Sequence, residues 1–301
     1  MRKTTVKSFV FLLAFVLVAF LAVLPMQSGK IDRSDWMAAL DDGQSLSSVT
    51  VPGTHDSGAL YSIADVSGKC QTLSIKEQLK IGVRFLDIRL QLVDNKLRVV
   101  HSFVDQMTAF EDVLIELVSF VEANPSEFLL VSIKEDASAK NSSEDFTEVL
   151  EKLLLSYSAV NTSRELPETV GAARGGIHVL ARYAGASIGL PCYSGWWDDT
   201  AFALGDIYVQ DNYCVEDAEE KIADIRATYA IALEEKHALV LNYTSCYLET
   251  GFPPIYAGLP AHDINADTLK ALAEGKGSYG VIICDFITSS LADAIIGRNF
   301  K

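Results

Sequence analysis

The sequence predicts an α/β protein, a TIM-type (β/α) barrel that is closed, has eight strands and forms one domain. Short β-branched or aromatic runs recur eight times along the chain, centred near Val49, Phe85, Val99, Leu130, Val179, Val209, Leu239 and Ile282. Helical patterns separate most of these runs. No internal repeat or low-complexity linker divides the chain, and 301 residues that are 49% hydrophobic suffice for one large core.

The N-terminal 29 residues have the pattern of an export signal. Residues 1–7 are basic, residues 8–24 are almost wholly apolar, and Pro25 breaks the run. This pattern is typical of a secretory signal peptide, and its length also allows a retained anchor. We therefore expect residues 30–301 to form the barrel, either secreted or anchored at the extracellular face of a membrane.

In the first half of the chain, strand patterns alternate with amphipathic ones. Strands are predicted at residues 48–51, 83–89, 97–101 and 128–134, and helices at 31–44, 73–81 and 108–121. Pro52 and Gly53 end the first strand, and Thr108 with Glu111 has capping-box spacing. A turn at residues 94–95 predicts that the second and third strands are joined by an irregular, hairpin-like connection instead of a helix.

The second half continues the alternation. Strands are predicted at residues 177–183, 207–211, 238–242 and 279–285, and helices at 143–157, 216–236, 266–273 and 289–296. Within the earlier strand at 83–89, alternation places Asp87 and Arg89 on the face of Phe85, opposite Leu86 and Ile88.

Charge and cysteine content exclude some functions. The formal net charge of -15 argues against a nucleic-acid partner, because a phosphate backbone would be repelled, and it weakens attraction to an anionic membrane. The five cysteines show no CxxC pair and no metal-ligand spacing, and their odd number leaves the pairing open: Cys70, Cys192, Cys214, Cys246 and Cys284.

Polar side chains stand at the carboxyl ends of most predicted strands. They are His55, Arg89, His101, Lys134, Arg182, Asp211 and Asp285. In a (β/α) barrel these ends meet in one mouth, so we expect the seven side chains to form a site. Asp56 follows His55 in the loop after the first strand and can tune or orient the imidazole.

This set suits acid–base chemistry on a phosphate. Two histidines can serve as base and acid on one bond, and Asp285 can fix the tautomer of one of them. Three cations in an acidic protein favour a phosphate or polyol-phosphate ligand, and they would repel a divalent metal ion. For Lys134, a salt bridge to Glu135 or Asp136 is an open alternative.

Several of these motifs resemble the X region of bacterial phosphatidylinositol-specific phospholipase C. The motifs are residues 51–57, 82–89, His101, 124–127, 132–134, 181–185, 209–213 and Asp285. The resemblance spans almost the whole chain after the signal, and its motifs keep their order and spacing.

The resemblance implies a distorted (β/α) barrel that cleaves phosphatidylinositol to diacylglycerol and inositol 1,2-cyclic phosphate, with no cofactor and no metal. His55 would take the proton from the inositol 2-hydroxyl, and Asp285 would orient His55. His101, assisted by Asp56, would protonate the leaving oxygen. Arg89 would stabilise the phosphate charge where eukaryotic relatives use calcium, and those relatives carry asparagine in place of Asp56.

By the same resemblance, the substrate-binding residues would be Lys134, Arg182, Asp211, Tyr213 and Asp87. Tyr213 would stack on the inositol ring, and Arg89 would neutralise Asp87. The bacterial enzymes carry rim tryptophans for membrane insertion, whereas residues 59–69 here contain none. Trp196, Trp197 and residues 252–256 are candidate substitutes.

Two other functions stay open from the sequence. One is a metal-dependent phosphodiesterase of the sphingomyelinase D or glycerophosphodiesterase type on the same barrel. The other is an inactive protein that binds inositol phosphates or glycolipids. For the enzyme, the substrate is either free phosphatidylinositol or a glycosylphosphatidylinositol anchor at a membrane surface, and we expect a monomer.

Overall fold

The computed structural model describes residues 33–62, 68–102, 104–234, 236–249 and 258–301. The predicted signal segment at residues 1–29 and the candidate rim residues 252–256 lie outside these described ranges. One compact unit spans Asp32–Lys301. Of the helices in the described ranges, none combines the length and the hydropathy that crossing a membrane requires.

A curled sheet of twelve strands forms the framework. Its strands are β1 (Val51–Thr54), β2 (Phe85–Val93), β3 (Lys96–His101), β4 (Val104–Ala109), β5 (Leu129–Glu135), β6 (Val160–Asn161), β7 (Ile177–Arg182), β8 (Leu190–Pro191), β9 (Ala201–Leu204), β10 (Ile207–Gln210), β12 (Leu239–Tyr243) and β14 (Val281–Cys284). Strands β11 (Cys214–Val215) and β13 (Tyr247–Leu248) pair separately. The main path runs β6-β7-β5-β2-β1-β14-β12-β10-β9, and it is parallel from β6 to β10.

Helices follow most of the parallel strands and cover the outer face of the sheet. They are α1 (Ile75–Lys80), α2 (Phe110–Ala123), α3 (Phe146–Leu154), α4 (Val170–Ala173), α5 (Ala218–Leu233), α6 (Gly258–Glu274) and α7 (Ser289–Ile296). The predicted side-chain alternation in β2 is confirmed. Phe85 packs in the inner cluster with Leu130, while Leu86 and Ile88 pack in the outer one with the helices.

The distorted (β/α) barrel is confirmed, but the prediction that the barrel closes is wrong. In the described ranges, no ladder joins β6 or β8 to β9, so the barrel is open at that seam. The free edge of β10 is occupied by β9, which pairs with it antiparallel in a tight hairpin. On the other side, β8 pairs with β7 over two residues and ends in Pro191, which has no N–H to extend a ladder.

The predicted hairpin-like connection between the second and third strands is confirmed. β2 pairs antiparallel with β3 across a turn in which Asp94 and Asn95 have φ of 50° and 58°, the left-handed values of a tight hairpin turn. The predicted capping box at Thr108 is wrong. Thr108 lies in β4, which pairs with β3, and α2 begins at Phe110 without a side-chain cap.

Candidate active site

A tight turn after β1 carries two of the candidate residues. The His55 N–H donates to the Cys284 carbonyl (3.1 Å), and the Ser57 N–H donates to the Asp87 carbonyl (2.8 Å). Asp56 between them has φ 42°, a left-handed conformation that costs a non-glycine residue free energy and is often kept at functional sites. The turn therefore holds His55 and Asp56 in fixed positions against β2 and β14.

His55 is fixed through both ring nitrogens. Its Nδ1 lies 2.8 Å from Asp285 Oδ1, and its Nε2 lies 3.1 Å from Arg89 Nη2. Since the carboxylate can only accept and the guanidinium can only donate, Nδ1 carries the proton and Nε2 keeps its lone pair. Burial opposes charge on the ring, yet the carboxylates of Asp285 and Asp56 prevail and raise the pKa of His55. His55 is thus arranged as a base at Nε2.

Asp56 lies between the two histidines. Its Oδ2 is 3.4 Å from His55 Nε2, 3.5 Å from His101 Nε2 and 3.4 Å from Arg89 Nε. The side chain is 2% exposed, and within the described ranges Oδ2 has no well-aligned hydrogen bond. This buried carboxylate can accept a hydrogen bond from His101 Nε2, and from His55 Nε2 once that nitrogen has taken a proton.

His101 reaches the mouth by a route that the sequence argument did not foresee. Because β3 is antiparallel to β2, its carboxyl end would ordinarily lie at the other end of the barrel. β2 instead runs past Arg89 to Val93, beyond the mouth, and β3 folds back so that His101 returns to the level of the site. The structure thus places His101 beside Asp56 at the mouth, but by a fold-back of β3 and not as the end of a parallel barrel strand.

Three cations stand side by side in the sheet. Arg89 on β2 is in register with Lys134 on β5, which is in register with Arg182 on β7. Asp87 accepts hydrogen bonds from Arg89 Nη2 (3.1 Å) and Ser132 Oγ (3.1 Å). The Asp87 side chain is fully buried, and burial by itself would raise its pKa. The neighbouring cations, above all Arg89, outweigh burial and hold the pKa of Asp87 well below its usual range. Asp87 therefore positions the arginines and cannot touch a ligand, which corrects its assignment as a substrate-binding residue.

Asp136 joins the site, whereas from the sequence it is only an alternative salt-bridge partner for Lys134. Its Oδ1 lies 2.8 Å from Lys134 Nζ and 3.5 Å from Arg89 Nη1, and its Oδ2 accepts from the Ser102 N–H (2.7 Å). Against the effect of burial, these cations lower the pKa of Asp136 to about 2. Lys134 thus has its salt bridge, and its side chain stays 34% exposed at the mouth.

The wall of the mouth around Arg182 contains two residues that the sequence did not assign to it, Trp196 and Tyr243. Arg182 lies flat on the Trp196 ring, with Cζ 3.8 Å from the ring centre, and its Nη1 is 3.4 Å from the Tyr243 hydroxyl. Trp196 Nε1 donates to Asp211 Oδ2 (3.2 Å), which is 3.9 Å from Arg182 Nη2. The sequence predicts Trp196 only as a rim residue, and Tyr243 is marked in the sequence only by its place at the end of the strand β12.

Tyr213 contacts residues other than Arg182 and Trp196. Its hydroxyl donates to Asp198 (2.9 Å), its N–H donates to Asp199 (2.8 Å), and its ring centre is 5.9 Å from that of Tyr247. A stacking role for Tyr213 on a sugar-like ring stays a prediction.

Among the residues that the structure describes, one group of side chains has ligand atoms close enough for a metal ion. His55, Asp56 and Cys70 offer atoms that lie within 4.8 Å of one another. The Arg89 guanidinium stands 3.1 Å from His55 Nε2, where it would repel a cation, and burial raises the pKa of the Cys70 thiol, so the thiol is protonated and a poor ligand. The group does not fit a resident metal. All five cysteines are free thiols.

Comparison with known proteins connects this geometry to one family. Residues 52–177 match the model of the phosphatidylinositol-specific phospholipase C X domain. The chain is 25% identical to a 1-phosphatidylinositol phosphodiesterase of Listeria monocytogenes, covering 89% of this chain and 86% of the relative. It is 27% identical to one from Staphylococcus aureus, covering 84% and 88%.

Solved structures agree with the sequence matches. A double mutant of the phosphatidylinositol-specific phospholipase C from S. aureus superposes with a TM-score of 0.76 at 25% identity, covering 87% of this chain and 97% of that one. The L. monocytogenes enzyme gives 0.71 at 24% identity, covering 89% and 99%. The likeness therefore extends well beyond the X domain.

Proposed function

Because this chain is related to the bacterial phosphatidylinositol-specific phospholipases C, with their X domain at residues 52–177, we propose that it cleaves phosphatidylinositol to diacylglycerol and inositol 1,2-cyclic phosphate. The arrangement around His55 carries the proposal. Asp285 holds one ring nitrogen, Arg89 faces the other, and Asp56 separates His55 from His101. This is a base, a phosphate-binding cation and an acid at one mouth.

In the first step, His55 Nε2 takes the proton of the inositol 2-hydroxyl while that oxygen attacks phosphorus. The hydrogen bond from Nδ1 to Asp285 stabilises the imidazolium that forms. Arg89 is 13% exposed and lies against Nε2, so it is placed to donate to the non-bridging phosphate oxygens as their charge grows. Its planar fork suits two phosphate oxygens at once.

In the same displacement, the bond from phosphorus to the glycerol oxygen breaks and His101 donates a proton to that oxygen. Asp56 supports this role, since its carboxylate lies 3.5 Å from His101 Nε2 and is placed to orient the imidazole. Lys134, Arg182, Asp211 and Tyr213 would bind the inositol ring, Tyr213 by stacking on it.

We further propose that the loop after β8 contacts the membrane. Trp197 is 65% exposed and Tyr193 is 59% exposed, next to the Arg182–Trp196 wall. Amphipathic aromatic rings favour the membrane interface. Trp197→Ala should reduce pelleting with phosphatidylinositol vesicles by several-fold. Leu155→Ala, which alters an exposed residue at the far end of α3, is the control, and equal losses in both variants would exclude the loop.

We also propose that the protein acts outside the cell as a monomer after residues 1–29 direct its export. The basic and apolar pattern of that segment supports export. Cell fractionation with sequencing of the mature N-terminus tests it, and light scattering tests the monomer. A protein retained in the cytoplasm would contradict the export proposal.

The activity itself is tested with purified protein, phosphatidylinositol vesicles and phosphorus NMR. We expect the cyclic phosphate signal, undiminished by EDTA and absent in His55→Ala. Loss with EDTA and recovery with a divalent ion would favour a metal-dependent phosphodiesterase, and binding of inositol phosphate without turnover would favour an inactive binder. A parallel assay on glycosylphosphatidylinositol-anchored protein decides the natural substrate.

A further inference from the structure

A lysine outside the proposed mechanism is fully buried behind the site. Lys221 lies in the first turns of α5 and has no exposed surface. Its Nζ donates to Gln210 Oε1 (2.8 Å) and to the Asn212 carbonyl oxygen. Both acceptors belong to the end of β10, on either side of Asp211. Burying an ammonium is unfavourable unless it is well hydrogen-bonded, so these two contacts are required wherever this lysine stays charged.

Lys221 fixes which way the Gln210 amide points. An ammonium can only donate, so Gln210 must turn its oxygen toward Lys221, and that oxygen also accepts from the Asn212 N–H (2.9 Å). The Gln210 Nε2 then faces the end of β12, where it donates to Asn242 Oδ1 (2.8 Å) and to the Tyr243 carbonyl (2.9 Å). Lys221 on α5 thereby orients the Gln210 amide so that it connects the end of β10 to the end of β12 by hydrogen bonds.

The two strand ends that Lys221 ties together carry one wall of the mouth. Asp211 follows Gln210 and faces Arg182 and Trp196, and the Tyr243 hydroxyl is 3.4 Å from Arg182 Nη1. We propose that Lys221 is a positioning residue that holds Asp211 and Tyr243 in the geometry needed to bind the inositol headgroup. This inference rests on the proposed function, because it assigns that wall to headgroup binding.

The charge of Lys221 makes headgroup affinity depend on pH, and a purely structural role of this residue would not produce that dependence. Burial lowers the pKa of Lys221 to about 8, although carboxylates on three elements oppose this: Asp211 after β10, Asp224 on α5 and Asp285 after β14. The thiol of Cys246 also faces it. Above that pH the ammonium loses its proton and its charge-assisted hydrogen bonds weaken. Headgroup affinity should therefore fall as pH rises through about 8.

The experiment measures KM for phosphatidylinositol and the inhibition constant of myo-inositol between about pH 6 and pH 10. In the wild type, both constants should rise through an alkaline midpoint while kcat changes less. In Lys221→Met, both should be raised about tenfold at neutral pH, the effect of losing one charged hydrogen bond, and the alkaline rise should vanish.

Asp224→Asn is the second variant, since it keeps an oxygen for the Asn212 side-chain amide and removes one negative charge facing Lys221. It should move the alkaline midpoint to lower pH. Unchanged constants in a folded Lys221→Met, or a midpoint that Asp224→Asn leaves in place, would overturn the inference. If the wild type does not cleave phosphatidylinositol, the proposed function fails, and calorimetric titration of myo-inositol against pH still decides the role of Lys221.

Discussion

Replacing Asp285 with asparagine tests the arrangement on which the mechanism depends. The carboxylate accepts a 2.8 Å hydrogen bond from His55 Nδ1 in a site where Asp285 is 2% exposed. Asparagine keeps the size and can keep an acceptor, but it removes the charge. A hydrogen bond to a buried charged group contributes about 1.5–3 kcal/mol, and most of it serves the imidazolium formed during proton transfer.

The expected loss in kcat/KM is therefore about ten- to a hundredfold. It would be larger if the amide turned its NH2 toward Nδ1, because the proton of neutral His55 would then move to Nε2 and block the base. The pH profile has a defined sign. Since the carboxylates raise the pKa of His55, removing one should move the acid limb of kcat/KM to lower pH.

The assay follows release of inositol cyclic phosphate from phosphatidylinositol between about pH 5 and pH 8. Asp263→Asn is the matched control, because it removes the same charge from a side chain that is 73% exposed. Activity within about twofold of the wild type with an unmoved acid limb would refute the role of Asp285.

Three further predictions concern Arg89, His101 and a buried histidine outside the site, His178. Arg89→Ala should lose at least about a hundredfold in kcat, and Arg89→Lys should recover part of it, because an ammonium keeps the charge without the planar fork. Arg89→Asp should be weak alone and gain activity with added calcium, since its carboxylate would join Asp56 and Asp136; calcium stimulation of the wild type would contradict this. His101→Ala should lose about a hundredfold on phosphatidylinositol but much less on a p-nitrophenyl inositol phosphate, whose leaving group needs no proton; equal losses on both substrates would remove His101 as the acid. His178 is buried, which lowers its pKa, so folding stability should fall as pH drops through the ordinary histidine value; the fall in Tm from about pH 7 to pH 5 should be smaller in His178→Gln, and an identical fall would exclude His178.

Eight of the strands and the residue types of the candidate site could be predicted from the sequence, whereas β4, β6, β8, β9, β11 and β13 were not predicted. Alternation in β2 assigns Asp87 and Arg89 to the inner face, because successive side chains of a strand point to opposite sides. The turn after β1 marks His55, because a strand ended by Pro52 and Gly53 must be followed by a loop. These inferences need only local geometry.

The remaining features depend on contacts between distant segments. The sequence does not show that β2 runs beyond the mouth, that β9 covers the edge of β10, or that Asp87 is fully buried under Arg89 and Arg182. The sequence analysis does not single out Lys221, because a lysine is ordinarily expected at the surface, although its place four residues before Ile225 puts it on the buried stripe of α5 with Tyr229.

The sequence by itself thus determined the eight main strands, the residue types of the candidate site and the likeness to a phospholipase family, because these are properties of neighbouring residues. Only the tertiary structure decided which charges are paired, which are buried and which face the mouth. Electrostatic interactions depend on the distance between charges and on their burial. Arg89 lies 34 positions from His55 in the chain and Asp285 lies 230 positions from it, so both reach His55 and become buried beside it only when the barrel folds.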